Sequence, residues 1–383
     1  MEREVAKIKR IIEELKNEFF ERDEVIHGAF YAILSGCHML LIGPPGTAKS
    51  QLIHRLCGKI EGAEYFQWLL TKFTTPEELF GAVSLKGLEN DEYRRVINGK
   101  LPEAHIAFLD EVFKASSSIL NTLLTIMNER VFYNGLEEIK IPLISLFGAS
   151  NELPSDEDEL DALYDRFLIR HVVDYVKEDF RFLKMLQTDE FDGEETSMTL
   201  KELILCQAKV KLINIPSHIL KLLSRIRNEL KKKGVVLSDR RYKQSLMVLK
   251  ARAFLDGRDT VEEGDLVTLE GVLWRDPGEL GEIKSVIYHI LYGYRDFLRE
   301  LLIQAKELES YAKREWGEEE MQINANIEAQ TKLKSIISRI DLLIEEFRER
   351  GKTIDEIASV KSQVEKIQHE TLSRMVSVKQ GMA

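Results

Sequence analysis

The segment GPPGTAKS at residues 43–50 has the residue types of a loop that binds phosphate. It follows the apolar run MLLI at 39–42 and precedes a helical pattern, QLIHRLCG. A strand, a glycine-rich turn and a helix in this order predict a P-loop, whose backbone N–H groups face phosphate oxygens. We expect Lys49 to reach the β- and γ-phosphates of a nucleotide and Ser50 to bind Mg²⁺. The candidate nucleotide-binding residues are Gly43, Pro44, Pro45, Gly46, Thr47, Ala48, Lys49, Ser50 and Gln51.

Ala48 is the one departure from the pattern G-x-x-x-x-G-K-[ST], which has its second glycine at that position. Left-handed backbone angles are costly for alanine, so we expect Ala48 to take right-handed helical angles as the first residue of the helix. A chance glycine-proline turn is the alternative interpretation of the whole segment. The flanking strand and helix patterns argue against it.

A second apolar run, HIAFL at 105–109, ends in the carboxylates Asp110 and Glu111. Such a run followed by Asp-Glu is common in proteins, but it acquires a specific meaning about sixty residues after a P-loop. We expect Asp110 to hold Mg²⁺ through water and Glu111 to polarise the attacking water.

Three later segments also suit phosphoryl transfer. Asn151 follows the apolar run LISLFGAS and could orient the attacking water, although alone it is better explained as a turn residue. Arg166 and Arg170 are either surface ion-pair residues or guanidinium groups that a second subunit supplies to the phosphate. Arg240 and Arg241 begin a helical pattern, where the helix dipole disfavours cations, so a nucleotide phosphate is one candidate partner.

Hydrophobic periodicity divides the scaffold for these residues into four parts. Residues 1–25 predict one amphipathic helix, and residues 26–172 alternate short apolar runs with helical patterns, as in an α/β domain. Residues 173–277 predict a helical lid, and residues 278–383 predict a helical arm. The predicted fold class is α/β, with an αβα P-loop core, an all-helical lid and a C-terminal helical hairpin arm.

The arm has long 3–4 periodicity and no proline. One helix is expected over about 279–315, followed by two antiparallel helices joined at 349–353. The unbroken apolar runs of the core predict parallel strands that are buried on both faces.

Composition limits the classes of function. Of 383 residues, 44% are hydrophobic and 31% charged, and the net charge is −11. This hydrophobic content excludes wholesale disorder. The acidic balance argues against broad nucleic-acid binding, although KKKG at 231–234 leaves a small opening for a local basic patch. The sequence predicts neither a transmembrane helix nor a signal peptide nor a zinc site, and its three scattered cysteines predict a reducing, cytoplasmic location.

Taken in order, these motifs resemble those of AAA+ ATPases, and four longer segments resemble the MoxR family. The segments are GPPGTAKS at 43–50, TKFTTPEELFGAVSLKGL at 71–88, LPEAHIAFLDEVFKASSSILNTLLTIMNERVFYNG at 101–135 and SNELPSDEDELDALYDRFLIR at 150–170. Within the family they are most similar to the RavA branch. The resemblance covers about residues 20–276.

The resemblance implies a role for each matching residue. These roles are Walker A for Lys49 and Ser50, Walker B for Asp110 and Glu111, and sensor 1 for Asn151. Arg166 corresponds to the arginine finger that acts on a neighbouring subunit, with Arg170 as the weaker candidate. Arg240 corresponds to sensor 2, with Arg241 still open, and the resemblance places both sensors on the subunit that holds the Walker motifs.

The resemblance also implies two structural excursions, one within residues 72–100 and a hairpin at about 130–142 with Gly135 in its turn. In rings of this family such devices reach toward the pore or a partner. The simpler interpretation of Phe132 and Tyr133 is packing within the hairpin. Longer RavA-type chains carry an extra compact domain in the arm, and residues 278–383 show no strand pattern for it.

The function implied is that of an ATP- and Mg²⁺-dependent motor. We expect a homo-oligomer, most simply a hexameric ring, with chaperone-like activity on an unknown client protein and a von Willebrand factor A-domain partner. Three alternatives stay open: a chelatase-type motor subunit for metal insertion, a nucleotide-gated scaffold with little turnover, and a DNA-acting motor. The net charge argues against the last of these, and Glu111 with Asn151 argues against the scaffold.

Overall fold

A computed structural model describes residues 2–154, 158–187, 195–314, 319–349 and 354–380. The described chain forms two compact units, Met1–Val176 with Thr188–Ile287, and Lys177–Gln187 with Tyr288–Ala383. We call the second of these the arm unit. Among the described residues, the helices are all too short or too polar to span a membrane.

The first unit begins with two helices and a strand: α1 (Glu2–Glu18), α2 (Asp23–Ser35) and β1 (His38–Ile42). The expectation of a single helix over residues 1–25 is therefore wrong at its C-terminal end. Glu21 takes left-handed backbone angles, with φ of 57°, and this turn separates the two helices. Five apolar side chains of α1 are buried: Val5, Ile8, Ile11, Ile12 and Leu15.

The core continues with alternating strands and helices. Its elements up to the second excursion are α3 (Lys49–Gly58), β2 (Ile60–Glu61), β3 (Tyr65–Leu69), α4 (Pro76–Phe80), α5 (Leu85–Leu88), β4 (Ile106–Asp110) and α6 (Ser117–Glu129). It is completed by β5 (Val131–Asn134), β6 (Glu137–Lys140), β7 (Ser145–Ser150), α7 (Asp158–Arg166) and β8 (Phe167–Val172).

Five parallel strands form the central sheet in the order β3-β4-β7-β1-β8. Every residue of β1 and β7 is buried, which explains why their sequences are continuous apolar runs. The predicted α/β class with a parallel core is confirmed. Because all five strands run in one direction, their carboxyl ends meet at one edge of the sheet, where open α/β sheets bind ligands.

The two excursions are joined to each other. Strands β5 and β6 form an antiparallel hairpin with Gly135 in the turn at φ of 69°, and a Cβ at Gly135 would lie 1.9 Å from the Tyr93 carbonyl oxygen. Asn134 exchanges two hydrogen bonds with the backbone of Arg95 in the first excursion. Phe132 is buried in packing, whereas Tyr133 is 56% exposed.

The lid part of the first unit contains a short strand and three helices, β9 (Met198–Thr199), α9 (Leu200–Leu212), α10 (Ser217–Lys232) and α11 (Asp239–Leu255), with a 3₁₀ segment at Glu263–Gly271. Strand β9 pairs in parallel with β2, so the lid is not entirely helical. Ion pairs join α9 of the lid to α1, namely Lys7 with Glu202 at 2.9 Å and Lys209 with Glu4 at 2.6 Å.

The arm unit contains the helix Asp179–Gln187, which precedes the lid in the chain, together with three long helices, Leu280–Lys313, Glu319–Glu349 and Asp355–Gln380. The sequence-based boundary placed residues 177–187 in the lid, and the structure groups them with the arm. The reason is packing: the helix Asp179–Gln187 lies against Glu319–Glu349. Gly293, at φ of 56°, interrupts the first long helix.

The three long helices share an apolar core. The described part of residues 288–380 contains helices and no strand. Most of the predicted junction at 349–353 lies outside the described residues, and the two helices that flank it end at Glu349 and begin at Asp355. The buried members of this core are Leu298, Leu301, Ala305, Leu333, Ile336, Ile340, Leu343, Ile344, Phe347, Ile357, Val364 and Ile367.

Candidate nucleotide-binding site

The glycine-rich loop joins β1 to α3 at the carboxyl edge of the sheet. Gly46 has φ of 78°, and a Cβ at Gly43 would lie 1.8 Å from the Val173 carbonyl oxygen, so both positions need glycine. The Thr47 hydroxyl donates to the Pro44 carbonyl at 3.0 Å. Ser50 lies in the first turn of α3, where backbone N–H groups and the helix dipole favour an anion.

Ala48 has left-handed backbone angles, with φ of 61° and ψ of 23°. The expectation that it would take right-handed helical angles is therefore wrong. The loop keeps the backbone path that a glycine would give it, and alanine accepts the steric cost of about 1–2 kcal/mol. Strain of this kind persists where the surrounding structure over-determines the conformation, as it does here between β1 and α3.

Lys49 is buried within the loop that it follows. Its ammonium group donates to the carbonyl oxygens of Gly43 and Pro44, both at 2.8 Å, and lies 3.4 Å from the Thr47 hydroxyl. Burial lowers the pKa of Lys49, while the nearby carboxylates of Asp110 and Glu111 oppose this shift. A cation held among backbone groups at a helix N-terminus fits the phosphates of a nucleotide.

Asp110 ends β4 and Glu111 follows it, and Asn151 follows β7, the neighbour of β4 in the sheet. The Asn151 side-chain amide donates to Glu111 Oε1 at 2.5 Å, and Lys114 Nζ lies 3.2 Å from Glu111 Oε2. Glu111 itself has left-handed backbone angles, with φ of 52°. The carboxylate is therefore fixed by two side chains on a strained turn, which is an arrangement typical of a functional residue.

Ser50 and Asp110 fit a Mg²⁺ site in which the protein supplies only part of the coordination shell. Mg²⁺ in nucleotide sites takes one or two protein oxygens and completes its shell with phosphate oxygens and water. A hydroxyl at the start of α3 and a carboxylate at the end of β4 supply such oxygens. Within the described ranges, no group of three or more His, Cys, Asp or Glu side chains could hold a metal by itself.

Arg166 and Arg240 lie beside one another, at the end of α7 and the start of α11. Arg240 Nη2 donates to Asp165 Oδ2 at 2.7 Å. Burial and the positive charge of Arg240 both lower the pKa of Arg166. Arg166 Nε is buried and has no hydrogen-bond partner among the described residues. Two cations whose charges interact, only one of which has an ion-pair partner among the described residues, suit a polyanionic ligand.

Arg170 and Arg241, the alternative candidates, are interior residues that are each 1% exposed. Arg170 donates to the carbonyls of Tyr164, Phe167 and Trp274, and burial lowers its pKa to about 9. Arg241 donates to the carbonyls of Leu168 and Val272, both at 2.8 Å. Their donors are used to join lid and core, so neither guanidinium is available to a ligand.

Sequence reasoning overlooked several residues that the structure brings to this site. Lys114 contacts Glu111, Asp165 holds Arg240, and Arg22 and Tyr175 contact the glycine-rich loop. Only Asp165 had a signal in the sequence, because it precedes Arg166 in the segment that resembles known motifs. The others come from parts of the chain whose proximity to the loop depends on how the sheet folds.

A P-loop after a central parallel strand, an Asp-Glu pair and an asparagine on the neighbouring strands, and a helical lid that carries an arginine define a P-loop ATPase of the AAA+ class. A family model described as the MoxR domain in the MoxR-vWA-beta-propeller ternary systems matches residues 6–213, and the AAA lid domain model matches residues 218–287. The chain belongs to the MoxR family of AAA+ ATPases.

Individual relatives agree with this assignment. Two uncharacterized proteins of Methanocaldococcus jannaschii, MJ0079 and MJ0812, are 45% and 43% identical to this chain, over 76% of it and over 76% and 78% of their own lengths. The chaperone MoxR1 of Mycobacterium tuberculosis is 26% identical over 45% of each chain. A crystal structure from Cytophaga hutchinsonii, described as a candidate ATPase, shares the fold with a TM-score of 0.59 at 19% identity, covering 75% of this chain and 94% of its own.

Proposed function

We propose that this chain hydrolyses ATP with Mg²⁺ as a ring-forming motor. The observation that carries the proposal is the Glu111 carboxylate, held by Asn151 at 2.5 Å at the sheet edge that also presents Lys49. Glu111 would take the proton of the attacking water, and Asn151 would keep the carboxylate oriented toward it. When bound, Mg²⁺ would neutralise phosphate charge, with Ser50 and Asp110 as its protein ligands.

Arg166 and Arg240 would serve the nucleotide of a neighbouring copy of the chain. Within one subunit Arg240 is paired with Asp165, which precedes Arg166, and the charge of Arg240 lowers the pKa of Arg166. This differs from the sequence-based expectation, in which sensor 2 acts on the nucleotide of its own subunit. A ring, for which a hexamer is the simplest form, would bring this group to the next P-loop.

The first test is the rate of ATP hydrolysis against protein concentration for wild type, Glu111→Gln and Arg166→Ala. Supply of an arginine in trans contributes about 10³–10⁵ in rate, so loss of Arg166 should reduce turnover by a factor in that range. A cooperative rise for wild type, lost in both variants, is the expected result. Nucleotide binding and assembly without turnover at any concentration would instead favour a nucleotide-gated scaffold.

Subunit mixing separates the two assignments of Arg240. Lys49→Ala and Arg240→Ala should each be inactive alone. If Arg240 acts in trans, mixing them restores part of the activity, because an intact P-loop meets an intact arginine pair. Mixing Arg166→Ala with Arg240→Ala is the matched control, and restored activity there would show that Arg240 acts within its own subunit.

We also propose chaperone-like remodelling of an unknown client as the cellular task, with a von Willebrand factor A-domain protein as partner. The support is the family description, which refers to MoxR-vWA-beta-propeller systems, and the likeness to the chaperone MoxR1. Closer kinship with the RavA branch and a cytoplasmic location remain predictions from the sequence. Co-purification with the A-domain protein encoded nearest to this chain tests the partner, and a chelatase subunit in that position would favour the metal-insertion alternative.

A further inference from the structure

Arg22 is a buried cation that touches the glycine-rich loop from outside it. It lies in the turn between α1 and α2 and is 7% exposed. Its guanidinium donates to the carbonyl oxygens of Glu21 at 3.0 Å, Asp174 at 2.6 Å and Thr47 at 3.5 Å. One side chain thus joins the N-terminal turn, the glycine-rich loop and the chain that leaves β8.

The segment that leaves β8, residues 173–176, follows the glycine-rich loop closely. Val173 N donates to the Ile42 carbonyl at 2.7 Å, and the Val173 carbonyl oxygen occupies the space where a Cβ at Gly43 would lie. The Tyr175 hydroxyl donates to the Pro45 carbonyl at 3.3 Å. Val173, Asp174 and Tyr175 therefore contact either the loop or Arg22. We call residues 173–176 the strap.

The strap runs directly into the arm unit, which begins at Lys177. Within this unit, α8 (Asp179–Gln187) contacts the helix Glu319–Glu349 through an ion pair between Arg181 and Glu328 at 3.5 Å. Glu328 is 3% exposed and also accepts a hydrogen bond from the Tyr311 hydroxyl at 2.9 Å. Glu328 is also paired with Lys332 on its own helix, so Arg181 is one of three partners of this buried carboxylate.

We propose that Arg22 and Tyr175 are positioning residues of the glycine-rich loop, which fasten it to the strap and so transmit the nucleotide state of the loop to α8. This inference rests on the proposed function, since it requires that the loop binds a nucleotide. The physical reason is that the N–H group and the carbonyl oxygen of a peptide unit lie in one plane and turn together. When phosphate binding reorients the N–H groups of the loop, the carbonyl oxygens of Pro45 and Thr47 must turn with them. Tyr175 and Arg22 contact these two oxygens.

The electrostatics support a place for Arg22 in the same site. Burial lowers the pKa of Lys49, and the positive charge of Arg22 lowers it further, so the two cations repel each other across the loop. The carboxylates of Glu21 and Asp174 offset part of the charge of Arg22. A triphosphate in the loop would relieve this repulsion, and its binding would therefore tighten the contacts that Arg22 makes.

Hydrogen exchange of the full chain tests the proposal, with ATPγS and Mg²⁺ as the probe and amides 179–187 as the readout. Adding ATPγS to wild type should change exchange in α8 by about threefold to tenfold, the equivalent of one net hydrogen bond. Tyr175→Phe removes the hydroxyl that donates to Pro45 and should lose most of this change. Arg22→Lys should lose it as well. The Kd of a fluorescent ATP analogue, measured in parallel, sets the ATPγS concentration at which each variant is saturated.

The matched control is Tyr133→Phe, because Tyr133 and Tyr175 are both 56% exposed and Tyr133 lies on the hairpin. This variant should keep the full response of α8. Bound ATPγS with unchanged exchange in wild-type α8 would overturn the inference and leave the proposed function intact. A full response in both Tyr175→Phe and Arg22→Lys would do the same. Failure of wild type to bind the fluorescent analogue would overturn the proposed function itself.

Discussion

Ala48→Gly should stabilise the first unit, although it removes a methyl group. Ala48 has φ of 61°, and left-handed angles cost a residue with a Cβ about 1–2 kcal/mol, which glycine does not incur. Glycine in turn gives the unfolded chain more freedom, at a cost of about 0.4–1 kcal/mol. The difference predicts a net gain of about 0.5–1 kcal/mol in the free energy of unfolding.

Urea unfolding followed by a signal from the first unit measures this gain as a higher midpoint at unchanged slope. By thermal melting, the same gain corresponds to a rise of about 1–3 °C in Tm for a unit of this size. Nucleotide affinity should change little, because the loop already follows the path that glycine would take.

Asp91→Gly is the matched control for Ala48→Gly. Asp91 is exposed, also has left-handed angles, with φ of 56°, and lies in the excursion. It should gain less than Ala48→Gly, because aspartate tolerates left-handed angles better than alanine does. Ala48→Val should destabilise the unit, because branching at Cβ makes left-handed angles still less favourable. A loss of stability in Ala48→Gly, or no loss in Ala48→Val, would refute the argument from backbone strain.

Two further predictions concern charge. Asp165→Asn should lower turnover with little change in nucleotide Kd, because Arg240 loses its ion-pair partner. The variant should also lose about 1–3 kcal/mol of stability, because Arg241 keeps a buried charge without its carboxylate. Equal turnover in wild type and variant would contradict the shared role of the arginines. Burial lowers the pKa of His171 to about 4 and that of His38 well below its usual value. The unfolded chain therefore binds more protons, and stability should fall as the pH drops from about 6.5 toward 4. Urea midpoints measured across that range would disprove this if they stayed level.

The positions of the candidate P-loop residues and of the Asp-Glu pair could be predicted because they depend on short stretches of chain. A strand, a glycine turn and a helix within twenty residues place Lys49 and Ser50 without help from distant parts of the molecule. Asp110 and Glu111 are likewise the last residues of a strand and the turn after it. What the sequence did not show was the backbone of Ala48, whose left-handed angles lead the loop into the start of α3.

The arginines show the opposite case. Successive residues on a helix point about 100° apart, so Arg240 and Arg241 had to differ in environment, but the sequence could not indicate which one faces the interior. The packing of the lid against the core decided this, since Arg241 meets the carbonyls of Leu168 and Val272 there. The same packing placed Arg240 beside Arg166.

The sequence by itself predicted phosphate-binding chemistry, because a P-loop is a local pattern of glycine, lysine and hydroxyl residues. It also determined the layered core, since buried parallel strands require continuous apolar runs. The tertiary structure alone decided which arginines are interior, and that residues 173–175 follow the glycine-rich loop. These outcomes depend on contacts between residues far apart in the chain, 73 positions for Arg241 with Leu168 and 152 for Arg22 with Asp174, and such contacts leave no periodic trace in the sequence.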